Sequence, residues 1–383
     1  MVWKNSNDKQ QVITDEVEIN MRLISIKSLK EGMVLGRTIW NEAGLPLLQE
    51  DIQVSEQVIS RLIDLKIQYV YIKDDLSKDI ESLDIVPIEV RKKVVTEITK
   101  TFKTMQKVKS GSESFFLDQQ SKVLYAIIDE LLENILEDQN ILTVLSDVFM
   151  YDNYVYQHSF QVTTYAIAIA KELNYTYEEI RQIALGALLH DVGKMLVPQD
   201  ILMKPEKLTE EEFEEVRKHT TFGFDVLRGL HSVSLLIAHC AFQHHERLDG
   251  SGYPRGLIDF EIHPYAKIIA VADVFDAVTS NRVYKTKMLP SQGISILQAG
   301  KGTLYDAKIV DAFSGIIAHY PNGTTVVLSD GSRAIISKQN SHSPDKPWAH
   351  IFEKNGKVLD ATFEVDLRTT DLVISDVEIE LTV

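Results

Sequence analysis

A single cysteine, Cys240, excludes an internal disulfide from this chain of 383 residues, so the fold has to rest on core burial alone. Cys240 sits on an apolar helical pattern beside Ala238 and Ala241, a setting for a buried structural thiol and not for a nucleophile. No stretch approaches the ~18 consecutive apolar residues of a membrane span. The opening Met1-Val2-Trp3-Lys4-Asn5-Ser6-Asn7-Asp8 lacks the apolar core of a signal peptide, and a cytoplasmic protein is expected. Basic charge is also scarce, with 40 Lys and Arg against 56 Asp and Glu, a net charge of −16. That balance excludes a broad groove for duplex nucleic acid. An anionic ligand would need local positive charge from metal ions or from a few Arg and Lys. What remains, 44% hydrophobic and 25% charged residues, is ordinary soluble composition, and the length suggests two or three domains.

Residues 1–20 are polar and unpatterned, a flexible arm. Arg22-Leu23-Ile24-Ser25-Ile26, Met33-Val34-Leu35-Gly36, Leu45-Pro46-Leu47-Leu48 and Gln68-Tyr69-Val70-Tyr71-Ile72 have strand composition, Pro46 confining the third to an edge. With a helix over 55–65 they make a small α+β N-terminal module, 21–75, whose plain reading is docking or dimerisation. A linker and helices follow over 76–144, where Ile127, Leu131, Leu132 and Ile135 form an apolar stripe suited to a core or a dimer seam. From 145 to 320 the pattern is helical throughout, with capping boxes at Thr176-x-x-Glu179 and Thr209-x-x-Glu212 and Pro264 at a first helical turn. Residues 321–383 change to strand composition, a small β C-terminal subdomain. The expected fold class is therefore multi-domain: an all-α helical bundle as catalytic core, with a small α+β module before it and a small β appendage after it.

The unusual residues lie between Leu189 and Leu257. They are His190-Asp191-Val192-Gly193-Lys194, His219, His244-His245-Glu246 and Asp249-Gly250-Ser251-Gly252-Tyr253-Pro254, so four of the 11 histidines fall at these points. A lone histidine is most simply a partly buried structural residue, but that reading does not cover two adjacent pairs and a Gly-flanked Asp together. Adding His158 and Asp273 gives seven imidazole and carboxylate donors, enough for two octahedral metals bridged by a carboxylate. Such a mixed donor set suits Fe or Mn, with Zn not excluded.

The motif order resembles the HD-GYP family, a branch of the HD metal-dependent phosphohydrolases that hydrolyses cyclic di-GMP. The resemblance runs through HD-x-GK (190–194), His219, HHE (244–246), DGSGYP (249–254), Ala272-Asp273-Val274-Phe275-Asp276-Ala277 and Ser280-Asn281-Arg282-Val283-Tyr284. It spans roughly 145–320, under half of the chain, and implies an HD-type bundle with a dinuclear site. By motif position His158, His190, Asp191 and Asp273 would hold one metal, and His219, His244 and His245 the other, with Asp191 bridging. Lys194 would sit near the scissile phosphate, helping to protonate the leaving oxygen or neutralise charge, and Asp191 would be catalytic as well as a ligand. Arg282 and Lys285 would contact substrate phosphates, although alone they would pass for an exposed basic helix end. Gly252, Tyr253 and Pro254 would line the site, although from sequence alone a plain turn is the better reading of that loop. Asp276 and Glu246 would orient ligands from behind.

Two positions depart from the family pattern. Tyr154 stands where members with a third metal carry Glu, so two divalent ions are expected. Thr220 replaces the usual proline after His219. The implied activity is hydrolysis of cyclic di-GMP to linear pGpG, and on to GMP if a second cut follows. Its setting would be second-messenger signalling, with a homodimer and signalling partners at the GYP loop or N-terminal module as further expectations. The alternatives are an HD phosphohydrolase acting on another nucleotide and a nucleotide-binding adaptor without turnover. His231, His239, His263, His342 and His350 fall outside the matched positions and read as structural or surface residues.

Overall fold

The computed structural model describes residues 21–40, 46–65, 67–77, 80, 86–107, 114–137, 154–204, 206–280, 288–341 and 343–378. Its first part is β1 (Arg22–Ser25), β2 (Val34–Leu35), β3 (Ile39–Trp40), β4 (Pro46–Leu48), α1 (Glu56–Asp64) and β5 (Tyr69–Lys73). β5 lies between β1 and β2 in an antiparallel three-stranded sheet, and β3 and β4 pair separately. Pro46 is accordingly on a strand with one neighbour, as its missing N–H requires. Ser55 caps α1, its hydroxyl accepting from the Val58 N–H at 3.3 Å. Leu62 closes the module's core with Ile24, Leu35, Val54, Val70 and Ile72.

The helical part comprises α2 (Ile88–Lys107), α3 (Ser114–Glu137), α4 (Tyr154–Glu172), α5 (Tyr177–Leu189), α6 (Gln199–Leu202), α7 (Glu210–Arg217), α8 (His219–Arg228), α9 (Leu235–Gln243), α10 (Pro264–Thr279), α11 (Pro290–Ala299) and α12 (Ala307–Ile316). α4 and α10 are its axis. Val162, Ala166, Ile169 and Ala170 on one, and Ile268, Ile269, Val271, Ala272 and Phe275 on the other, are almost fully buried, the pattern of helices enclosed by neighbours. The stripe Ile127, Leu131, Leu132 and Ile135 of α3 joins the same core, as do Val94, Ile98 and Phe102 of α2. Burying each such side chain contributes roughly 1.5–3 kcal/mol, so α2 and α3 are parts of the bundle. Arg181 fastens α5 to α3 with a two-pronged bond to Asp129, Nε–Oδ1 2.6 Å and Nη2–Oδ2 2.9 Å. Both sequence-read capping boxes are formed, at Thr176/Glu179 and Thr209/Glu212.

The last part is β6 (Thr325–Leu328), β7 (Arg333–Lys338), β8 (Trp348–Lys354), β9 (Lys357–Asp366) and β10 (Ile374–Val377), an antiparallel sheet in the order β10-β6-β7-β8-β9. The two ends of the chain meet. Leu23 donates its N–H to the Gly323 carbonyl at 2.9 Å, and the Arg22 Nε donates to the Thr325 hydroxyl at 3.0 Å. A Cβ on Gly323 would come within 2.5 Å of the Met21 carbonyl oxygen, and its φ is +83°, so the junction requires glycine. Ile80, in the stretch read as a linker, is buried against Ile335 and Phe352 of this sheet. Among the described residues no helix is long and apolar enough to cross a membrane.

Candidate metal centre

Five helix ends and faces deliver the motif residues to one place. α4 supplies His158 from its buried side. α5 stops at Leu189, leaving His190 as its C-cap and Asp191 at the head of a short 3-10 turn, Val192–Leu196. α8 begins with His219, α9 ends just before His244 and His245, and α10 carries Asp273 and, one turn on, Asp276. His158, His190, Asp191, His219 and His244 are at most 2% exposed, and Asp273 is 6% exposed. Polar groups are buried this deeply only when something satisfies them.

The imidazoles are held from behind. His190 Nδ1 lies 2.6 Å from the Ala187 carbonyl, His219 Nδ1 2.6 Å from that of Val216, and His244 Nδ1 2.9 Å from that of Ala241. Each carbonyl belongs to the last turn of a helix, where backbone acceptors have capacity to spare. A carbonyl can only accept, so each Nδ1 carries the proton and each Nε2 presents a lone pair. His158 Nδ1 is anchored by the Asp276 carboxylate at 2.6 Å, whose other oxygen accepts from the Ser280 hydroxyl at 2.8 Å. A carboxylate so placed could orient His158 toward the centre.

The Nε2 atoms converge on Asp191. Its Oδ2 lies 3.4 Å from His158 Nε2 and 3.3 Å from His190 Nε2, and its Oδ1 lies 3.4 Å from His219 Nε2 and 3.8 Å from His244 Nε2. Asp273 faces His158 Nε2 at 3.1 Å through one oxygen and His245 Nδ1 at 3.7 Å through the other. Lys194 Nζ reaches Asp191 Oδ2 at 2.5 Å. Donor atoms gather within 4.8 Å of one another in three overlapping groups: His219, His244 and His245; His158, His190 and Asp273; and His190, Asp191 and His244.

These residues fit divalent cations on three counts. His219 Nε2 and His244 Nε2 stand 3.3 Å apart, an approach of two lone pairs that repel unless they share a cation. Among the described residues, His190 Nε2 and Asp191 Oδ1 are buried without a hydrogen-bond partner, which costs roughly 1–3 kcal/mol for each group left so. Separations of 3.1–3.8 Å across the cluster also suit ligands disposed around a common ion.

The protonation states of five of these residues agree with that reading, and that of His158 does not. Burial, reinforced by the nearby Lys194 charge, takes His219 down to about 4. Burial and neighbouring imidazoles hold His244 and His245 well below their ordinary value. Burial works against charge on Asp191, yet Lys194, His190 and His219 keep its carboxyl well below the usual range. Asp273 is lowered in the same way, against its burial, by His158 and His245. For His158 burial is outweighed by its bonds to Asp273 and Asp276, which raise it to about 9. Two neutral imidazoles, His219 and His244, thus face one oxygen of the ionised Asp191, and a third, His245, faces Asp273.

The loop 249–254 closes over His245. The Tyr253 ring stacks on the His245 imidazole, centroids 4.6 Å apart at 29°, and the Tyr253 N–H donates to the His245 carbonyl at 3.2 Å. A Cβ on Gly252 would meet the Arg247 nitrogen and the Glu246 Cα at 2.4 Å, so this turn can pass only as glycine. Pro254 follows at the exposed rim. Glu246, expected to orient a metal ligand, has a different task. Its two oxygens accept from the Arg255 N–H at 2.8 Å and the Leu257 N–H at 2.9 Å, so it fastens the loop. Arg282 and Lys285 lie outside the described residues.

Arg217 was not singled out in the sequence. It ends α7, and its guanidinium lies over the Tyr253 ring at 5.1 Å and the Phe213 ring at 4.6 Å. The i,i+4 spacing of Phe213 and Arg217 is the only sequence signal for it.

A family model described as an HD domain matches residues 130–309. The chain is 37% identical over 226 residues to the cyclic di-GMP phosphodiesterase PA4108 of Pseudomonas aeruginosa, covering 59% of this chain and 54% of that protein. It is 32% identical over 241 residues to a cyclic di-GMP phosphodiesterase of Thermotoga maritima, covering 63% of this chain and 64% of that one. It is also 39% identical over 145 residues to the 3'3'-cGAMP-specific phosphodiesterase 1 of Vibrio cholerae, covering 38% of this chain and 33% of that protein. The chain thus spans between one third and two thirds of the length of these relatives.

Proposed function

We propose that this chain, whose residues 130–309 match the HD-domain family model, is of the HD-GYP type and is a metal-dependent phosphodiesterase that opens cyclic di-GMP to linear pGpG, with GMP the product of any second cut. The observation that carries this reading is the ionised, buried Asp191, whose two oxygens face different histidines: His158 and His190 on one side, His219 and His244 on the other. His158, His190, Asp191 and Asp273 would hold one divalent ion and His219, His244 and His245 a second, Asp191 serving both. Fe or Mn suits this mixed nitrogen and oxygen set. Bound there, the ions supply a water of lowered pKa and positive charge for the phosphodiester oxygens.

The rest is the work of the chain. Lys194, at hydrogen-bond distance from Asp191, would place an ammonium beside the scissile phosphate. As water adds to phosphorus and the P–O3′ bond breaks, Lys194 would give its proton to the leaving oxygen. The Asp276 carboxylate keeps His158 turned toward the centre, and Glu246 and Gly252 keep the Tyr253 loop against His245. Cyclic GMP-AMP is the second substrate reading, supported by the relative named for that specificity. The test is a His190→Ala/Asp191→Ala double variant. It should retain its helical circular dichroism while losing both bound metal and hydrolysis of cyclic di-GMP. Wild-type turnover in that variant would refute the assignment.

A further inference from the structure

From the stack of flat groups at the mouth of the centre we infer that Arg217 reads a purine base of the substrate and sets a preference for guanine. This rests on the proposed cyclic-dinucleotide reading. His245, at the metal centre, is covered by Tyr253 at 4.6 Å, and Arg217 lies over Tyr253 at 5.1 Å and over Phe213 at 4.6 Å. The Phe213 ring is 37% exposed and the Arg217 side chain 36% exposed, so the run of planar groups goes from the cluster out to solvent. A guanidinium over two rings has its faces taken and offers its edge. At that edge Nη1 meets Glu214 Oε1 at 2.5 Å, while Nη2 makes no hydrogen bond among the described residues. The Glu214 partner is 55% exposed, and an exposed pair of this kind is worth little and exchanges readily for a ligand.

Two ligand groups match a planar donor fork: a phosphate and the O6/N7 edge of guanine. Local charge decides between them. α7 carries Glu210, Glu211, Glu212, Glu214 and Glu215, so a phosphate placed beside Arg217 would meet several carboxylates. An uncharged base edge would not, and the exposed Phe213 ring offers a surface on which a base stacks. Adenine would be disfavoured at the same place. It sets an N6 amino donor where guanine has the O6 acceptor, and Arg217 has only donors to offer.

The experiment compares kcat and KM for cyclic di-GMP, 3'3'-cGAMP and cyclic di-AMP in wild type, Arg217→Ala and Arg217→Lys, each checked for metal content. Wild type should prefer cyclic di-GMP over cyclic di-AMP, and Arg217→Ala should lose on the order of tenfold or more of that preference. The loss should appear in KM with kcat little changed, as for a contact made equally before and during reaction. Arg217→Lys should not restore it, because a point charge lacks the fork. An equal loss for all three substrates would mean a phosphate contact and overturn the inference, as would an unchanged preference. A wild type that hydrolyses none of the three would refute the proposed activity instead. The base preference would then be read from equilibrium binding of the same three ligands, with the same loss expected in Arg217→Ala.

Discussion

Gly193 ties the two halves of the centre together, and replacing it by alanine isolates that connection. The glycine lies in the turn between Asp191 and Lys194, and a Cβ added there would sit 1.9 Å from the His219 carbonyl oxygen and 2.5 Å from the Gly223 nitrogen. Carbon and oxygen normally approach no closer than ~3.3 Å, so α8 would have to move away by roughly 1.4 Å. Both obstructing atoms are backbone and cannot swing aside as a side chain could. Overpacking of this kind costs about 3 kcal/mol, a fall of about 6–12 °C in melting temperature for a helical unit of this size. The displaced residue is His219 itself, so occupancy of the His219, His244 and His245 group should fall as well. The opposite expectation is equally definite. Gly193 does not have a positive φ, and with no clash a Gly→Ala change at a compatible site stabilises by about 0.4–1 kcal/mol. Thermal unfolding followed by circular dichroism, with metal content on the same sample, separates the two. An unchanged or higher melting temperature with full metal content would refute the close contact between the turn and α8.

Lys194→Ala should keep its metals, because the ligands are untouched, and lose about 10²–10⁴ in kcat as the leaving oxygen loses its proton source; metal loss with unaltered rate per bound metal would contradict the role given to Lys194. Asp276→Asn preserves shape but replaces the carboxylate that fixes His158 at 2.6 Å. Metal affinity should fall about 10–100-fold, measured by competition with a chelator, and affinity equal to wild type would remove Asp276 from the centre.

The bundle and its centre were readable in the sequence because local signals and chemistry coincide there. Capping boxes mark where α5 and α7 start, and His190, His219 and His244 all fall at helix ends where last-turn carbonyls can take their Nδ1–H groups. What the sequence hid is relational. Glu246 follows His244 and His245 in the chain, which suggested work on a ligand, yet its carboxylate points to backbone nine and eleven residues ahead. Arg217 carries no motif and acquires its place only once α7 is packed beside the Tyr253 loop. The stripe on α3 was legible as apolar, but only the packed structure distinguishes a core from a dimer seam. β9 is a different case, since its signal was present. Asn355-Gly356, both at positive φ, form the two-residue turn typical of hairpins, and the strand after it, Lys357–Asp366, alternates Leu359, Ala361, Phe363 and Val365 with polar residues, although it is largely exposed. The contact between the chain's two ends, Leu23 to Gly323, joins residues about 300 positions apart and leaves no local trace.

The central claim is a pair of divalent ions held around Asp191 that act on a cyclic dinucleotide. Its most direct test is elemental analysis of protein purified without oxygen, paired with chromatography of the products formed from cyclic di-GMP by the same preparation. About two Fe or Mn per chain together with accumulating pGpG is the predicted result. Cyclic di-GMP left intact by protein carrying its full complement of metal would contradict it.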